Sequence, residues 1–136
     1  MKTDEKNIVI IGAGFGGITA MRKLAGHLPR GFSLILINRH HHQLYTPSLY
    51  EIASMPREMT EDSMLRSSIL LPINDMLRPK TAVSITDEFM AFDPASKSIR
   101  LNRTGTLAYE YLILALGSET SYFDIPGLRE HSLSLK

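Results

Sequence analysis

Two kinds of hydrophobic pattern follow one another in the first part of the chain. The stretch Asn7 to Ile11 contains a continuous apolar run, which is typical of a parallel strand covered on both faces. From Phe15 to about His27 apolar residues recur at helical spacing, and Pro29 with Gly31 ends that pattern. A second apolar run spans Leu34 to Ile37. This order predicts a strand, a helix and a second strand.

The next segment lacks a regular hydrophobic period. From Asn38 to about Asp62 no helical or strand spacing is sustained, and Pro47 and Pro56 disfavour a long regular element. We expect this segment to be a crossover that lines a site. Apolar residues then fall on one face between Ser68 and Arg78, which predicts a second helix.

The second half of the chain has a β-like texture. Short β-like runs at Ala82 to Ile85, Glu88 to Phe92 and Ser98 to Leu101 predict a small antiparallel meander that leads back to the main sheet. Tyr111 to Leu116 predicts a further central strand that ends at Gly117. The pattern as a whole therefore predicts an α/β fold with a Rossmann-like parallel sheet and a small antiparallel β-meander.

The turn after the first predicted strand carries a G-x-G-x-x-G motif made of Gly12, Gly14 and Gly17. In dinucleotide-binding folds the first glycine permits the tight turn and the second lets the backbone approach a pyrophosphate. The third lets the helix pack closely on the strand, and the N-terminus of that helix faces the phosphates. Because a strand precedes the motif and a helix follows it, the sequence predicts a dinucleotide-binding βαβ unit.

Composition narrows the class of protein. With 136 residues, 43% of them hydrophobic, and a net charge of +1, the chain is expected to form one globular domain that does not bind nucleic acid. The start from Met1 to Lys6 is polar and no apolar run reaches the length of a membrane span, so we expect a cytoplasmic protein. The chain contains no cysteine, so redox chemistry requires a bound cofactor.

The residues after the second predicted strand bear on the choice of cofactor. An acid at this position commonly binds the ribose hydroxyls, and here the residue is Asn38. Arg39 would stack on adenine or meet a 2′-phosphate, or is simply solvated. The run His40 to His42 does not predict a metal site, because adjacent side chains in extended chain point to opposite faces.

Four segments carry a resemblance to a known family. They are the run Asn7 to Gly17, the run Leu36 to Ala53, the run Tyr109 to Thr120, and Ile-Pro-Gly-Leu at Ile125 to Leu128. Many proteins share the glycine motif, whereas the Leu-Tyr-Thr-Pro-Ser-Leu-Tyr-Glu core of the second segment and the Ile-Pro-Gly-Leu segment are much more particular. Together they resemble the amino-terminal FAD segment of type II NADH dehydrogenases. These are NADH:quinone oxidoreductases within the pyridine-nucleotide:disulfide oxidoreductase group.

The resemblance implies that the cofactor is FAD and that the parent enzyme takes a hydride from NADH and reduces a quinone. No catalytic residue is assigned. Two positions depart from the family pattern: its usual acid is Asn38, and the threonine of its Ala-Thr-Gly motif is Leu116. The residues that the resemblance places around FAD are Gly12, Gly14, Phe15, Gly16 and Gly17 at the pyrophosphate, Asn38 and Arg39 at the adenosine end, Phe89 at adenine, Thr46 and Pro47 near the flavin, and Ala115 and Gly117 close to the cofactor.

Members of that family are considerably longer. We therefore expect residues 1–136 to be the amino-terminal part of an FAD-binding domain, without the NADH-binding and membrane-anchoring parts. Such a piece would be inactive alone and prone to self-association, and its parent would be peripheral on the inner face of the cytoplasmic membrane. Two alternatives stay open: a nucleotide-binding module without turnover, and a single-domain NAD(P)-binding protein for which Asn38 and Arg39 resemble a 2′-phosphate pocket.

The missing cysteines bear on related enzymes of the same group. Disulfide reductases need a cysteine pair near Tyr45 to Ala53, and this chain has none there. Sulfide:quinone oxidoreductases also need cysteines, but theirs would lie elsewhere. The second class is therefore disfavoured less strongly than the first.

Overall fold

The computed structural model of the protein describes residues 6–60, 63–77 and 82–134. Strands and mostly short helices follow one another along these residues. In chain order they are β1 (Lys6–Ile11), α1 (Phe15–Ala25), β2 (Phe32–Asn38), β3 (His42–Leu44), a 3-10 turn (Thr46–Ser48), α2 (Leu49–Ala53), α3 (Arg57–Thr60), α4 (Ser63–Ile69), β4 (Leu70–Pro72), α5 (Ile73–Met76), β5 (Ala82–Thr86), β6 (Phe89–Asp93), β7 (Ser98–Leu101), β8 (Gly105–Ala108), β9 (Tyr111–Leu114) and α6 (Leu128–His131).

A four-stranded parallel sheet organises the chain, with the strands in the order β5-β2-β1-β9. Strand β1 pairs with β2 from Lys6 opposite Phe32 to Ile11 opposite Ile37. A separate antiparallel sheet contains β6, β7 and β8 in that order. The predicted Rossmann-like α/β class with a small antiparallel meander is confirmed. Because all strands of the main sheet are parallel, the loops after them meet at one edge.

Each face of the parallel sheet is covered by its own hydrophobic cluster. Ile8 and Ile10 of β1 lie in the cluster that contains the α1 residue Met21, which is fully buried. Val9 and Ile11 lie in the other cluster, together with residues of β7. Burial of one such side chain contributes about 1.5–3 kcal/mol relative to leaving it exposed. The continuous apolar run of β1 thus reflects a strand with both faces covered.

The meander begins later in the chain than the sequence predicts. The run that starts at Ala82 is not its first strand: β5 pairs in parallel with β2, from Ala82 opposite Leu34 to Thr86 opposite Asn38. The strand β9, predicted to be central, lies at the edge of the parallel sheet formed by the described residues. The sequence pattern does not identify the partner of a strand, because short apolar runs look alike whether the strand lies in the parallel or the antiparallel sheet.

The single helix predicted for Ser68 to Arg78 was also wrong. Helix α4 ends at Ile69, the strand β4 pairs with β3, and α5 begins only at Ile73. Pro72 explains the break, because proline lacks an N–H and restricts the residue before it to extended conformations. Arg78 lies outside the described residues, as does Asp62 at the end of the predicted crossover.

Helix α1 begins at Phe15 as predicted and ends at Ala25, two residues before the predicted end. Gly26 is its C-cap, a position where glycine is common. The helix has 11 residues, and no helix within the described ranges is long and apolar enough to cross a membrane.

Candidate nucleotide-binding site

The turn between β1 and α1 requires glycine at two positions. Gly12 has a φ of +99°, and a Cβ atom built on it would lie 2.3 Å from the carbonyl oxygen of Ala115. A Cβ atom on Gly17 would lie 1.8 Å from the carbonyl oxygen of Gly12. Both distances are far below van der Waals contact, so these glycines let the turn, the helix and the end of β9 approach one another.

At position 14, neither a positive φ nor a close backbone contact requires glycine. Its φ of −73° suits any residue, and a Cβ atom there would meet nothing within 4 Å. It precedes the first turn of α1, whose N–H groups on Phe15, Gly16 and Gly17 have no partner inside the helix. These groups and the positive end of the helix dipole favour an anion in the open space beside Gly14.

The open space belongs to a cavity of about 610 Å³, which we call the larger cavity. It lies at the edge where β1, β2 and β9 end. The residues that line it are Ala13, Gly14, Phe15, Gly16, Asn38, His40, His42, Gln43, Leu44, Thr46, Ala115, Leu116, Gly117 and Ser118. Most residues that the resemblance places around a cofactor are therefore brought together here.

A second cavity of about 260 Å³, the smaller cavity, shares Asn38, His40 and Leu116 with the larger one. Gly12, Arg39 and Phe89, also expected near a cofactor, line it. Gly17 is buried beneath the turn. Pro47 lies in the 3-10 turn after Thr46, and among the described residues it lines neither cavity.

The Asn38 side chain links the loop after β2 to the glycine turn. Its Oδ1 accepts a hydrogen bond from the N–H of Ala13 at 3.0 Å. Its Nδ2 donates to the carbonyl oxygen of His40 at 2.8 Å and to that of His42 at 3.5 Å. A carboxylate here would accept from Ala13 but has no proton to donate, so the amide suits this loop better than an acid. A contact between Asn38 and a ribose stays a prediction.

Two side-chain contacts join residues at the entrance of the two cavities. The ring of Phe15 contacts that of Tyr45 edge-on, with centroids 5.7 Å apart, which places the residue before Thr46 against the glycine turn. Arg39 forms an ion pair with Glu88 at 3.0 Å, and both side chains are largely exposed. Such an exposed pair contributes little stability, so Arg39 remains available to a ligand.

The three consecutive histidines lie close together. The rings of His40 and His42 stack with centroids 5.4 Å apart, and His41 contacts His42 edge-on. Burial, followed by the charges of the other two imidazoles, lowers the pKa of His42. Within the described residues no group of three or more histidine, cysteine or acidic side chains is arranged to hold a metal ion.

Sequence reasoning missed Asp87, which lines the smaller cavity and is 2% exposed. Its carboxylate accepts hydrogen bonds from the Thr104 hydroxyl at 2.6 Å and the Thr104 N–H at 2.7 Å. The N–H groups of Glu88 and Arg103 also donate to it. The Thr104 hydroxyl, followed by these backbone donors, holds the pKa of Asp87 well below its usual value, although burial acts in the opposite direction. Asp87 thus links the end of β5 to the β7–β8 turn.

This linkage predicts a pH dependence of folding. Because the pKa of Asp87 is lower in the folded than in the unfolded chain, its contribution to stability is present above the usual value of 3.8 and is lost as pH falls below it. We expect Asp87→Asn to lower the midpoint of thermal unfolding at pH 7 and to flatten the loss of stability between about pH 5 and pH 2. Circular dichroism melts across this range measure both effects.

The exposed residue Asp75 on α5 provides the matched control, since Asp75→Asn removes the same charge without a buried network. Equal pH dependence in Asp87→Asn and the unmodified chain would contradict the role given to this carboxylate.

The fold and the cavities define a dinucleotide-binding α/β domain. Residues 6–136 match the family model of the pyridine nucleotide-disulphide oxidoreductases. The chain belongs to this family.

The chain is similar in sequence or structure to oxidoreductases that act on quinones. The demethylphylloquinone reductase NdbB of Synechocystis is 29% identical over 95% of this chain. The type II NADH:quinone oxidoreductase of Staphylococcus haemolyticus is 24% identical over 100% of the chain. In each case the chain covers 32% of the relative. The sulfide:quinone oxidoreductase structure from Aquifex aeolicus matches with a TM-score of 0.76 at 25% identity, over 96% of this chain and 28% of that one.

The predicted resemblance to type II NADH dehydrogenases is confirmed by these relatives. The chain spans about a third of the length of the two curated relatives. The reactions named for the relatives concern proteins about three times as long as this chain.

Proposed function

We propose that this chain is the FAD-binding part of an oxidoreductase that passes a hydride from NADH to FAD and then reduces a quinone. The observation that carries this proposal is the open space beside Gly14, bounded by the first N–H groups of α1 and continuous with the larger cavity. A dinucleotide pyrophosphate is the kind of anion that binds at the N-terminus of a helix after a glycine-rich turn. The names of the curated relatives supply the substrate class.

The residues around the cavities fit FAD. Gly14 and the N–H groups that follow it would hold the pyrophosphate, and Arg39 with Phe89 would border the adenosine end in the smaller cavity. Thr46 and Gly117 would lie on the opposite side, in the larger cavity. When bound, FAD would supply the redox chemistry.

In this proposal the chain binds FAD and orients it. The glycine turn would position the negatively charged centre of the cofactor, and Leu44 and Leu116 would offer it apolar contacts in the larger cavity. We assign residues 1–136 to the FAD-binding domain, with NADH and quinone binding to other parts of a longer parent protein. We place that parent in the cytoplasm, on the inner face of the cytoplasmic membrane.

Self-association of the isolated chain is part of the same proposal. Tyr111 and Leu114 on the edge strand β9 are 59% and 47% exposed, and Leu116 after the strand is 61% exposed. An open strand edge next to apolar side chains favours pairing with another chain.

The proposal predicts that the purified chain binds FAD in preference to NAD or NADP. Isothermal titration calorimetry with each nucleotide measures the preference, and absorbance of the bound flavin provides an independent check. We expect saturable FAD binding at least about tenfold tighter than that of either nicotinamide nucleotide, since the flavin ring would bury more apolar surface in the larger cavity than a nicotinamide ring.

Each of the other outcomes supports an alternative. Tighter binding of NADP, lost on Arg39→Ala, would favour a single-domain NADP-binding protein. Binding of FAD without NADH:quinone activity in the longer parent protein would favour a nucleotide-binding module without turnover.

A second candidate is a sulfide:quinone oxidoreductase, which is favoured by the similarity to the Aquifex aeolicus structure. That chemistry needs cysteines, which would have to lie in other parts of the parent protein because residues 1–136 contain none. Sulfide-dependent and NADH-dependent quinone reduction by the parent protein distinguish the two candidates.

A further inference from the structure

One buried polar side chain near the larger cavity has no hydrogen-bond partner among the residues that the structure describes. Gln43, in the centre of β3, is 5% exposed. Its backbone pairs with Leu71 of β4, but its side-chain amide makes no hydrogen bond to any of the described residues. Neither amide atom is fully enclosed, and Gln43 lines the larger cavity. The amide is therefore accessible from the larger cavity, and a ligand that hydrogen-bonds it there would complete a largely buried polar group.

The position of Gln43 narrows the chemistry of that group. Gln43 lines the larger cavity and not the smaller one, which contains Arg39 and Phe89 on the adenosine side. Its neighbours along the cavity wall include Leu44 and Thr46. With the adenosine in the smaller cavity, as proposed, Gln43 lies in the part of the site away from the adenosine.

The amide itself presents one acceptor and two donor positions. A phosphate offers only acceptors and would leave the amide oxygen unsatisfied, and the N–H groups after Gly14 already face the phosphate position. The riboflavin half of FAD offers donors and acceptors side by side, on the polar edge of its ring and on its ribityl hydroxyls. Either the ring edge or the ribityl hydroxyls can therefore both donate to and accept from a primary amide.

We infer that the side-chain amide of Gln43 hydrogen-bonds the riboflavin half of FAD and determines the preference of this site for a flavin over other adenine nucleotides. The inference rests on the proposed function, since it presupposes that FAD occupies the larger cavity. Gln43 is then a specificity residue, because it adds affinity only for the flavin-bearing half of the ligand.

The test compares Gln43→Leu with the unmodified chain, using FAD and ADP as probes in isothermal titration calorimetry. Leucine has a similar size and removes both hydrogen-bonding functions. We expect FAD to bind about tenfold more weakly to Gln43→Leu, while the affinity for ADP changes by less than about twofold. The thermal unfolding midpoint of the ligand-free variant should stay the same or rise, because an unpaired buried amide has been replaced by an apolar group.

Two further measurements sharpen the result. Asn102→Leu makes the same chemical change at an exposed position of the β7–β8 turn and should leave FAD affinity unchanged. The visible spectrum of bound FAD distinguishes the two sources: a shifted band in Gln43→Leu places the bond on the ring, and an unshifted band with weaker affinity places it on the ribityl chain.

Unchanged FAD affinity in Gln43→Leu overturns the inference and leaves the proposed function intact. A ligand-free variant that unfolds at lower temperature and loses FAD and ADP affinity together shows a structural role instead, which also overturns it. If the unmodified chain binds ADP but not FAD, or binds neither, the proposed function fails and this inference fails with it.

Discussion

We expect the substitution Gly14→Val to abolish measurable FAD binding while the chain keeps its fold. The backbone at Gly14 has a φ of −73°, which valine adopts, and its Cβ would meet nothing within 4 Å. The side chain therefore enters the space proposed for the pyrophosphate. Loss of two or three charge-assisted hydrogen bonds from the N-terminus of α1 corresponds to about 3 kcal/mol or more, or at least about a hundredfold in affinity.

Fluorescence titration with FAD measures this loss, and a thermal melt of the ligand-free variant establishes that the fold is retained. Gly26→Val is the matched control, since Gly26 is the C-cap of the same helix and lies at its other end. The phosphate-binding role of the turn is contradicted if Gly14→Val and the unmodified chain bind FAD equally.

Replacing Gly17 by alanine is expected to destabilise the folded chain itself. A Cβ atom on Gly17 would lie 1.8 Å from the carbonyl oxygen of Gly12, and that contact involves backbone on both sides. Relief requires α1 to move away from β1, which disturbs the packing of the fully buried Met21 against the sheet. Overpacking at a rigid contact of this kind costs about 3 kcal/mol or more.

Urea denaturation followed by circular dichroism measures the free energy of unfolding of Gly17→Ala. The comparison with Gly14→Ala is the sharpest control, because it adds the same methyl group three residues earlier in the same turn, where it meets open space. Equal stability of the two variants would show that the turn tolerates a wider helix–strand separation than this structure has.

Local patterns of the sequence were sufficient for the first βαβ unit. Strand β1, the start of α1 and strand β2 follow from apolar runs and helical spacing, because each element buries its side chains on faces that its own period defines. The glycine motif likewise predicted the turn, since the positive φ of Gly12 and the close contact between Gly17 and Gly12 are set by backbone geometry within the same unit.

The resemblance to a family placed the more distant residues of the site. It predicted that Thr46, Ala115 and Gly117 would lie near the glycine turn, and these residues line the same cavity as Gly14. No hydrophobic pattern indicates this proximity, because Thr46 lies within the irregular crossover and Ala115 follows β9, the last strand of the sheet. Their roles toward FAD stay predictions.

What the sequence by itself determined is the set of elements that form through neighbouring residues, together with the glycine turn that joins them. What only the tertiary structure decided are the pairings between distant segments. Strand β5 joins the parallel sheet through β2, and the partners of Asp87 at Arg103 and Thr104 lie 16 and 17 residues away. The sequence likewise does not indicate that Gln43 is buried without a hydrogen-bond partner among the described residues, because burial and pairing depend on everything that packs around a side chain.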